Sequence, residues 1–310
     1  MFLFDLHCDT ATALYREKAS LLKNNLQISR EKAEKYEKYI ELTAIFTSET
    51  LSDEEGWKRF FDVREYLLRE ANAHGVGFIN NKKELTAADR AGGVHFIITL
   101  EDARIINGRP ERLRELYDAG VRVITPLWRG ENSLGGAYDT DIGLSDFGKE
   151  AVGEMCALGI TPDISHASRR SAEDIMDICE KYGVSPIATH MNSISVSPHP
   201  RNMTDDCFCR LVSLGGIAGI SFCPAHLAPD SEKSDASYVL RHIEHYFALI
   251  RNKVAFGCDF DGTTPPDDIG DISSLCRFPV LFSERGFTEN EINDIFYGTA
   301  FSFMKKALPD

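Results

Sequence analysis

Six imidazole or carboxylate side chains sit where short apolar runs end. His7 and Asp9 close "FLFDLHCD", and Glu101 closes "VHFIITLE". His166 follows "TPDIS", His190 ends "PIATH", and Asp259 follows "VAFGC". Imidazole nitrogen combined with carboxylate oxygen suits zinc, manganese or iron rather than calcium. Two histidines, an Asp–His pair and a central Glu offer too many ligands for one ion, whereas a carboxylate bridging two ions would use them all. Two such ions activate water for hydrolysis. Taken singly, a strand-end histidine is more often a hydrogen-bonded structural residue, and a strand-end carboxylate is often a helix cap. The weight lies in their sharing one rim.

That rim requires parallel strands. Apolar runs at 2–7, 42–46, 94–100, 121–126, 161–165, 186–189, 217–222 and 254–257 read as eight strands. Helical stretches lie between them at 53–73, 110–119, 146–158, 172–182, 205–214 and 238–250. Alternation of this kind favours an α/β fold, and eight repeats favour a closed (β/α)₈ TIM barrel over an open sheet. In such a barrel the C-terminal strand ends carry the site. Helix boundaries are well marked. Pro110 suits a first helical position, Ser145 an N-cap, and Gly159 and Gly183 helix ends. Thr288-Glu289-Asn290-Glu291 reads as a capping box opening a last helix. In His7-x-Asp9, alternation sends both side chains to one face and Cys8 to the other, toward the helical layer.

The 310 residues, 43% hydrophobic, can form one barrel domain spanning 1–310. A formal charge of −14 argues against a nucleic-acid partner. Neither a signal peptide nor a membrane span is expected, and the eight scattered cysteines are not expected to form a disulfide framework. A cytoplasmic protein with reduced thiols is expected. Cys207-x-Cys209 lies in a helical stretch where the thiols do not face each other. His242 and His245 read as a helix face, His199 as a turn residue between prolines, and Asp261 as a brace for the following loop.

The stretches "DLHCDT", "TLEDARII", "GLSDFGKEAVGEM", "LGITPDISHAS", "IATHMNS", "HPRNMTDD" and "GCDFDG" occur in order from residue 5 to residue 262. As an ordered set they resemble the membrane (renal) dipeptidase family, peptidase family M19. The resemblance implies a zinc-dependent dipeptidase in which His7 and Asp9 hold one Zn²⁺ and His166 and His190 the other, with Glu101 bridging them. Other divalent transition metals are compatible with the set. It further implies that Arg201 grips the substrate's terminal carboxylate, a role suited to a guanidinium fork. Asp259 would contact the substrate and shuttle the proton while a metal-bridging hydroxide attacks. The expected partner is a small dipeptide, with a D-residue tolerated at its second position, and the expected assembly a homodimer.

Two departures stand out. Where the family has a histidine that contacts the substrate carbonyl, "VRVITPLWRGENSLGG" offers Trp128, whose indole can donate but neither accept nor become cationic. "YGTAFSFM" replaces the usual Gly-Asn before the last apolar run, which should alter packing at the barrel floor. Two rival readings follow: a related barrel hydrolase with a shifted substrate because of Trp128, or a metal-binding barrel without turnover. Retention of Asp259 and Arg201 counts against the second.

Overall fold

The computed structural model describes residues 1–48 and 50–310. Its parallel staves are β1 (Phe2–Cys8), β2 (Lys38–Phe46), β3 (Gly93–Glu101), β4 (Val123–Thr125), β5 (Thr161–Pro162), β6 (187–188), β7 (Ala218–Ile220) and β8 (Val254–Phe256). Pairing runs β5-β4-β3-β2-β1-β8-β7. The sheet closes through β6, by single parallel bridges between Asp163 and Ile187 and between Ala188 and Ala218. The result is the expected (β/α)₈ barrel. A two-residue strand, Gly77–Phe78, pairs with β3 outside the ring.

Alternation sorts the side chains into two apolar layers. Phe4, Leu6, Ile40, Leu42, Ile97, Val123, Ile187, Ile217 and Ala255 fill the barrel interior. Leu3, Cys8, Tyr39, Ile45, Phe96, Ile98 and Leu100 face the helices. Cys8 thus packs outward, as expected. The floor is closed by Tyr297, Ala300, Phe303 and Met304 from the C-terminal helical segment, the place where "YGTAFSFM" was expected to alter packing. That segment opens at Thr288 with the capping box and continues through a π-turn, Asp294–Gly298, into the helix Thr299–Ala307.

Ser145 caps Asp146–Leu158 by accepting the Gly148 N–H, and Gly159 ends that helix at φ 80°. Pro110 stands one residue before the helix Glu111–Asp118 and not inside it. β2 begins four residues earlier than the apolar run suggested, because outward-facing Tyr39 and Glu41 belong to it. The expected strand at 186–189 shrinks to its two bridged residues. Helices Thr10–Glu17 and Lys82–Ala91 were not foreseen; the second is amphipathic but buries only Leu85 and Ala88.

Candidate metal centre and substrate pocket

β3 delivers its carboxylate by regular alternation. Ile97 faces the barrel interior, so Glu101, two pleats on, faces the mouth. Its two oxygens look in different directions. Oε1 lies 3.0 Å from His166 Nε2 and 3.5 Å from His190 Nε2, whereas Oε2 lies 3.7 Å from His7 Nε2.

β1 works differently. Phe4 and Leu6 face inward, so strict alternation would send His7 out and Cys8 in. A bulge prevents this: Asp5 pairs with Glu41 but Cys8 pairs with Thr43, three residues against two. The bulge resets the phase and turns His7 to the mouth. The buried carboxylate of Asp5 holds it there, its Oδ1 accepting the N–H of His7 at 3.1 Å and of Cys258 at 3.0 Å. His7 Nε2 then sits 3.5 Å from Asp9 Oδ2 and 4.0 Å from Asp259 Oδ1, buried and without a hydrogen-bond partner.

The β5 and β6 ends carry a second buried aspartate. Asp163 Oδ1 accepts the N–H groups of Ser165 (2.9 Å) and Thr189 (3.0 Å), and Oδ2 accepts the hydroxyls of Thr125 (2.7 Å) and Thr189 (2.6 Å). Because the Thr189 hydroxyl donates to Asp163, its lone pair receives the proton of His190 Nδ1, 2.8 Å away. His166 Nδ1 lies 2.9 Å from the Trp128 carbonyl, which can only accept, so this nitrogen is also protonated. Both imidazoles therefore turn a bare Nε2 lone pair toward Glu101.

Those two nitrogens are 2.9 Å apart. Two lone pairs and a carboxylate oxygen thus converge with no donor among them, an arrangement that costs free energy unless a cation sits at their focus. This donor set fits a transition metal: nitrogens from fixed tautomers and a shared carboxylate. The protonation equilibria of the metal-free cluster differ between its two sides. Burial opposes charge on His7, but Glu101, Asp9 and Asp259 outweigh it and lift its pKa to about 10. Burial, then the charges of Arg201 and His7, hold His166 well below the usual histidine range; burial, then His7 and Arg201, do the same for His190. Burial raises Glu101, reinforced by Asp9.

A cavity of about 370 Å³ opens onto this cluster, lined among others by Asp9, Glu101, Trp128, His166, Arg201 and Asp259. All the site residues expected from sequence are therefore gathered at one mouth. Arg201 is buried, donates from Nη2 to the His190 carbonyl at 3.0 Å, and leaves Nη1 without a partner among the described residues. Burial pushes Asp259 up to about 7, against the pull of His7. His166 and Asp259 follow their strands in left-handed conformations, φ 65° and 62°, a strain that recurs where function fixes the backbone. Gly262 explains the end of "DFDG": a Cβ there would lie 2.1 Å from Asp9 Oδ2 and 2.6 Å from Asp259 Oδ1.

The Trp128 ring stands in the pocket 4.8 Å from Phe46 and 6.1 Å from His166, while its carbonyl orients His166. Other expectations need amending. His242 is fully buried and not on a solvent face: its Nδ1 accepts the Ser193 N–H and its Nε2 donates to the Leu227 carbonyl. His245 pairs with Asp205. His199 lines the pocket and accepts the Arg201 N–H. Asp261 braces the earlier loop at Gln27, by two bonds of 2.6 Å, and not the loop that follows it. Sequence reasoning did not single out Asp5, Asp163 or Thr189, nor Tyr138, Cys223 and His226, which line the pocket; the DxH spacing at 5–7 and the CxxH spacing at 223–226 were the local signals for some of them.

The family model "Membrane dipeptidase (Peptidase family M19)" matches residues 1–308. The chain belongs to peptidase family M19. Among M19-like relatives, an uncharacterized protein of Klebsiella pneumoniae is 31% identical over 72% of this chain and 87% of its own length. An uncharacterized dipeptidase of Schizosaccharomyces pombe is 30% identical over 69% of this chain, which spans about half (55%) of that longer protein. A crystal structure of a metallo peptidase from Rhodobacter sphaeroides, liganded with a phosphinate mimic of the dipeptide L-Ala-D-Ala, superposes with a TM-score of 0.91 at 22% identity, over 99% of both chains. The M19 dipeptidase AC gives the same TM-score and identity, covering 100% of this chain and 99% of its own. These structures share the M19 barrel fold. Among the described residues of this M19 chain, no helix is long and apolar enough to cross a membrane.

Proposed function

We propose that this protein is a binuclear metallo-dipeptidase, one barrel domain with zinc as its preferred metal. The observation that carries the reading is the convergence of two bare imidazole nitrogens and a two-faced carboxylate at the barrel mouth. His7 and Asp9 would hold one ion, His166 and His190 the other, and Glu101 both. Bound there, the ions would supply an acidified water and polarise a carbonyl oxygen.

The protein's own groups do the rest. Arg201, with one amino group uncommitted inside the pocket, would grip a terminal carboxylate. Asp259, with its pKa near neutrality, is matched to accept a proton and return it to the leaving amine. The pocket volume suits a small peptide, and the phosphinate carried by the Rhodobacter sphaeroides relative supports extending the dipeptide class, including a D-residue at the second position, to this chain.

A second reading concerns Trp128, whose indole packs on Phe46 at the pocket wall. Where the family's histidine would donate to the developing oxyanion, this wall is apolar. Losing such a donor typically costs about 3–4 kcal/mol, on the order of 10²–10³ in kcat. The substrate would then shift toward peptides with a larger apolar first residue. One kinetic panel tests both readings: dipeptides and their C-terminal amides, with wild type, Arg201→Lys and Trp128→His, all zinc-loaded. The expected result is selective loss of kcat/KM on free dipeptides in Arg201→Lys, and a gain in kcat on small dipeptides in Trp128→His. No peptide hydrolysis by wild type would overturn the dipeptidase reading; equal losses on acids and amides would make Arg201 structural.

A further inference from the structure

Asp259 belongs to two constellations. One joins it to His7 and Asp9. The other joins it to Cys223 and His226, and the thiol, imidazole and carboxylate ligand atoms of that trio lie within 4.8 Å of one another. Cys223 is the N-cap of the single turn Pro224–Leu227 that follows β7, and His226 stands three residues on within that turn. Asp259 reaches them from the end of β8.

Two observations suggest that this trio is more than pocket wall. His226 is only 6% exposed, yet its Nδ1 is buried without a hydrogen-bond partner among the described residues, an uncompensated cost. The three donors also differ in kind: a soft sulfur, an imidazole and a carboxylate, the mixture that selects zinc or cadmium over magnesium or calcium. We propose that Cys223, His226 and Asp259 form a third metal site, inhibitory and filled only when zinc exceeds what the main centre takes up.

Its weakness follows from its neighbours. The Arg201 guanidinium bears electrostatically on all three groups, and it repels a cation while the thiol must give up its proton to bind one. Arg201 bears on His166 and His190 as well, but the main centre has more carboxylates in its donor set, so it fills first. An ion on the trio would occupy the Asp259 carboxylate and stand in the cavity that Arg201 also lines. The inhibitory consequence rests on the roles proposed above for Asp259 and Arg201; capture of the ion does not.

The test therefore has two arms. In the first, cadmium is titrated into the metal-loaded full-length protein, and the ultraviolet thiolate-to-cadmium charge-transfer band is compared between wild type and Cys223→Ala. Wild type should bind one more ion per chain and show a band that the variant lacks. A band of equal strength in both, arising from the exposed Cys209 or Cys276, would overturn the site. In the second, peptide hydrolysis is followed against free zinc, each protein being referred to its own rate with the main centre just filled. Excess zinc should lower wild-type kcat/KM at least tenfold, competitively with substrate, and Cys223→Ala and His226→Asn should each need at least tenfold more zinc for the same inhibition. Unchanged zinc sensitivity in both variants would overturn the inhibitory role. If the protein proves not to cleave peptides, the cadmium arm still decides whether the site exists.

Discussion

The two halves of the barrel mouth are braced alike but finished differently. Beneath each lies a buried aspartate whose Oδ1 accepts two backbone N–H groups, one on its own strand end and one on the neighbouring stave. On the β5/β6 side, Asp163 also takes two hydroxyls, and through Thr189 it reaches His190. Every acceptor there is used, and the tautomers are set before any metal arrives. On the β1/β8 side, Asp5 Oδ2 has no partner and burial raises the pKa of Asp5. That side relies on a bulge for geometry and on carboxylates for charge. One half is preorganised by hydrogen bonds, the other by electrostatics. Glu101, on the regular strand between them, couples the two.

The largest effect should come from breaking that coupling. Glu101→Gln removes the charge that faces both halves, so it should strip metal from both and lower kcat/KM by on the order of 10³ or more. His166→Ala should weaken one ion only. Metal content by elemental analysis after dialysis against a weak chelator distinguishes them; full retention of metal by Glu101→Gln would show that the halves are independent.

A smaller effect isolates the hydrogen-bonded half. Thr189→Val keeps the side-chain shape but cuts the link from Asp163 to His190. Losing such an outer partner typically costs about 10–100-fold in metal affinity. Competition with a chromophoric chelator should show this loss for one ion, and Thr189→Ser should restore it. Equal affinity in Thr189→Val would mean that the tautomer is set some other way.

The smallest effect is on stability and belongs to the other half. Glu41, paired with Asp5 across the β1/β2 ladder and bonded to the Tyr39 hydroxyl at 2.7 Å, is pushed by burial up to about 8. A raised carboxyl pKa contributes stability that is complete below its unfolded value of about 4.5 and is lost as pH rises through about 8. The metal-free protein should therefore lose stability between about pH 5 and pH 8. Glu41→Gln should flatten that loss by on the order of 2–4 kcal/mol at pH 8. Urea melts of both forms across this range would show it, and parallel curves would contradict it.

How far the sequence spoke depended on whether a residue obeyed its element's period. Glu101 obeys it, and so do Ser145, Gly159 and the Thr288–Glu291 box, whose partners are within four residues. The ring of eight staves was legible for the same reason. His7 was found at its strand end, but the bulge that turns it inward was not, because the bulge is defined by pairing with Glu41 and Thr43 on another strand. Asp163 and Asp5 were passed over because their bonds to Thr125, Thr189 and Cys258 cross to other strands, and His226 because Asp259 is distant in the chain. His242 looked like a helix face until the 193 and 227 loops closed over it.

On the reading proposed above, Glu101 faces two metal ions, one served by each half. Elemental analysis of zinc-loaded protein, combined with anomalous scattering from its crystals at the zinc edge, tests this most directly. Two zinc ions per chain are predicted at the main centre, one beside His7 and Asp9 and one beside His166 and His190, with Glu101 between them. A single peak at the mouth, or none after full loading, would contradict the account.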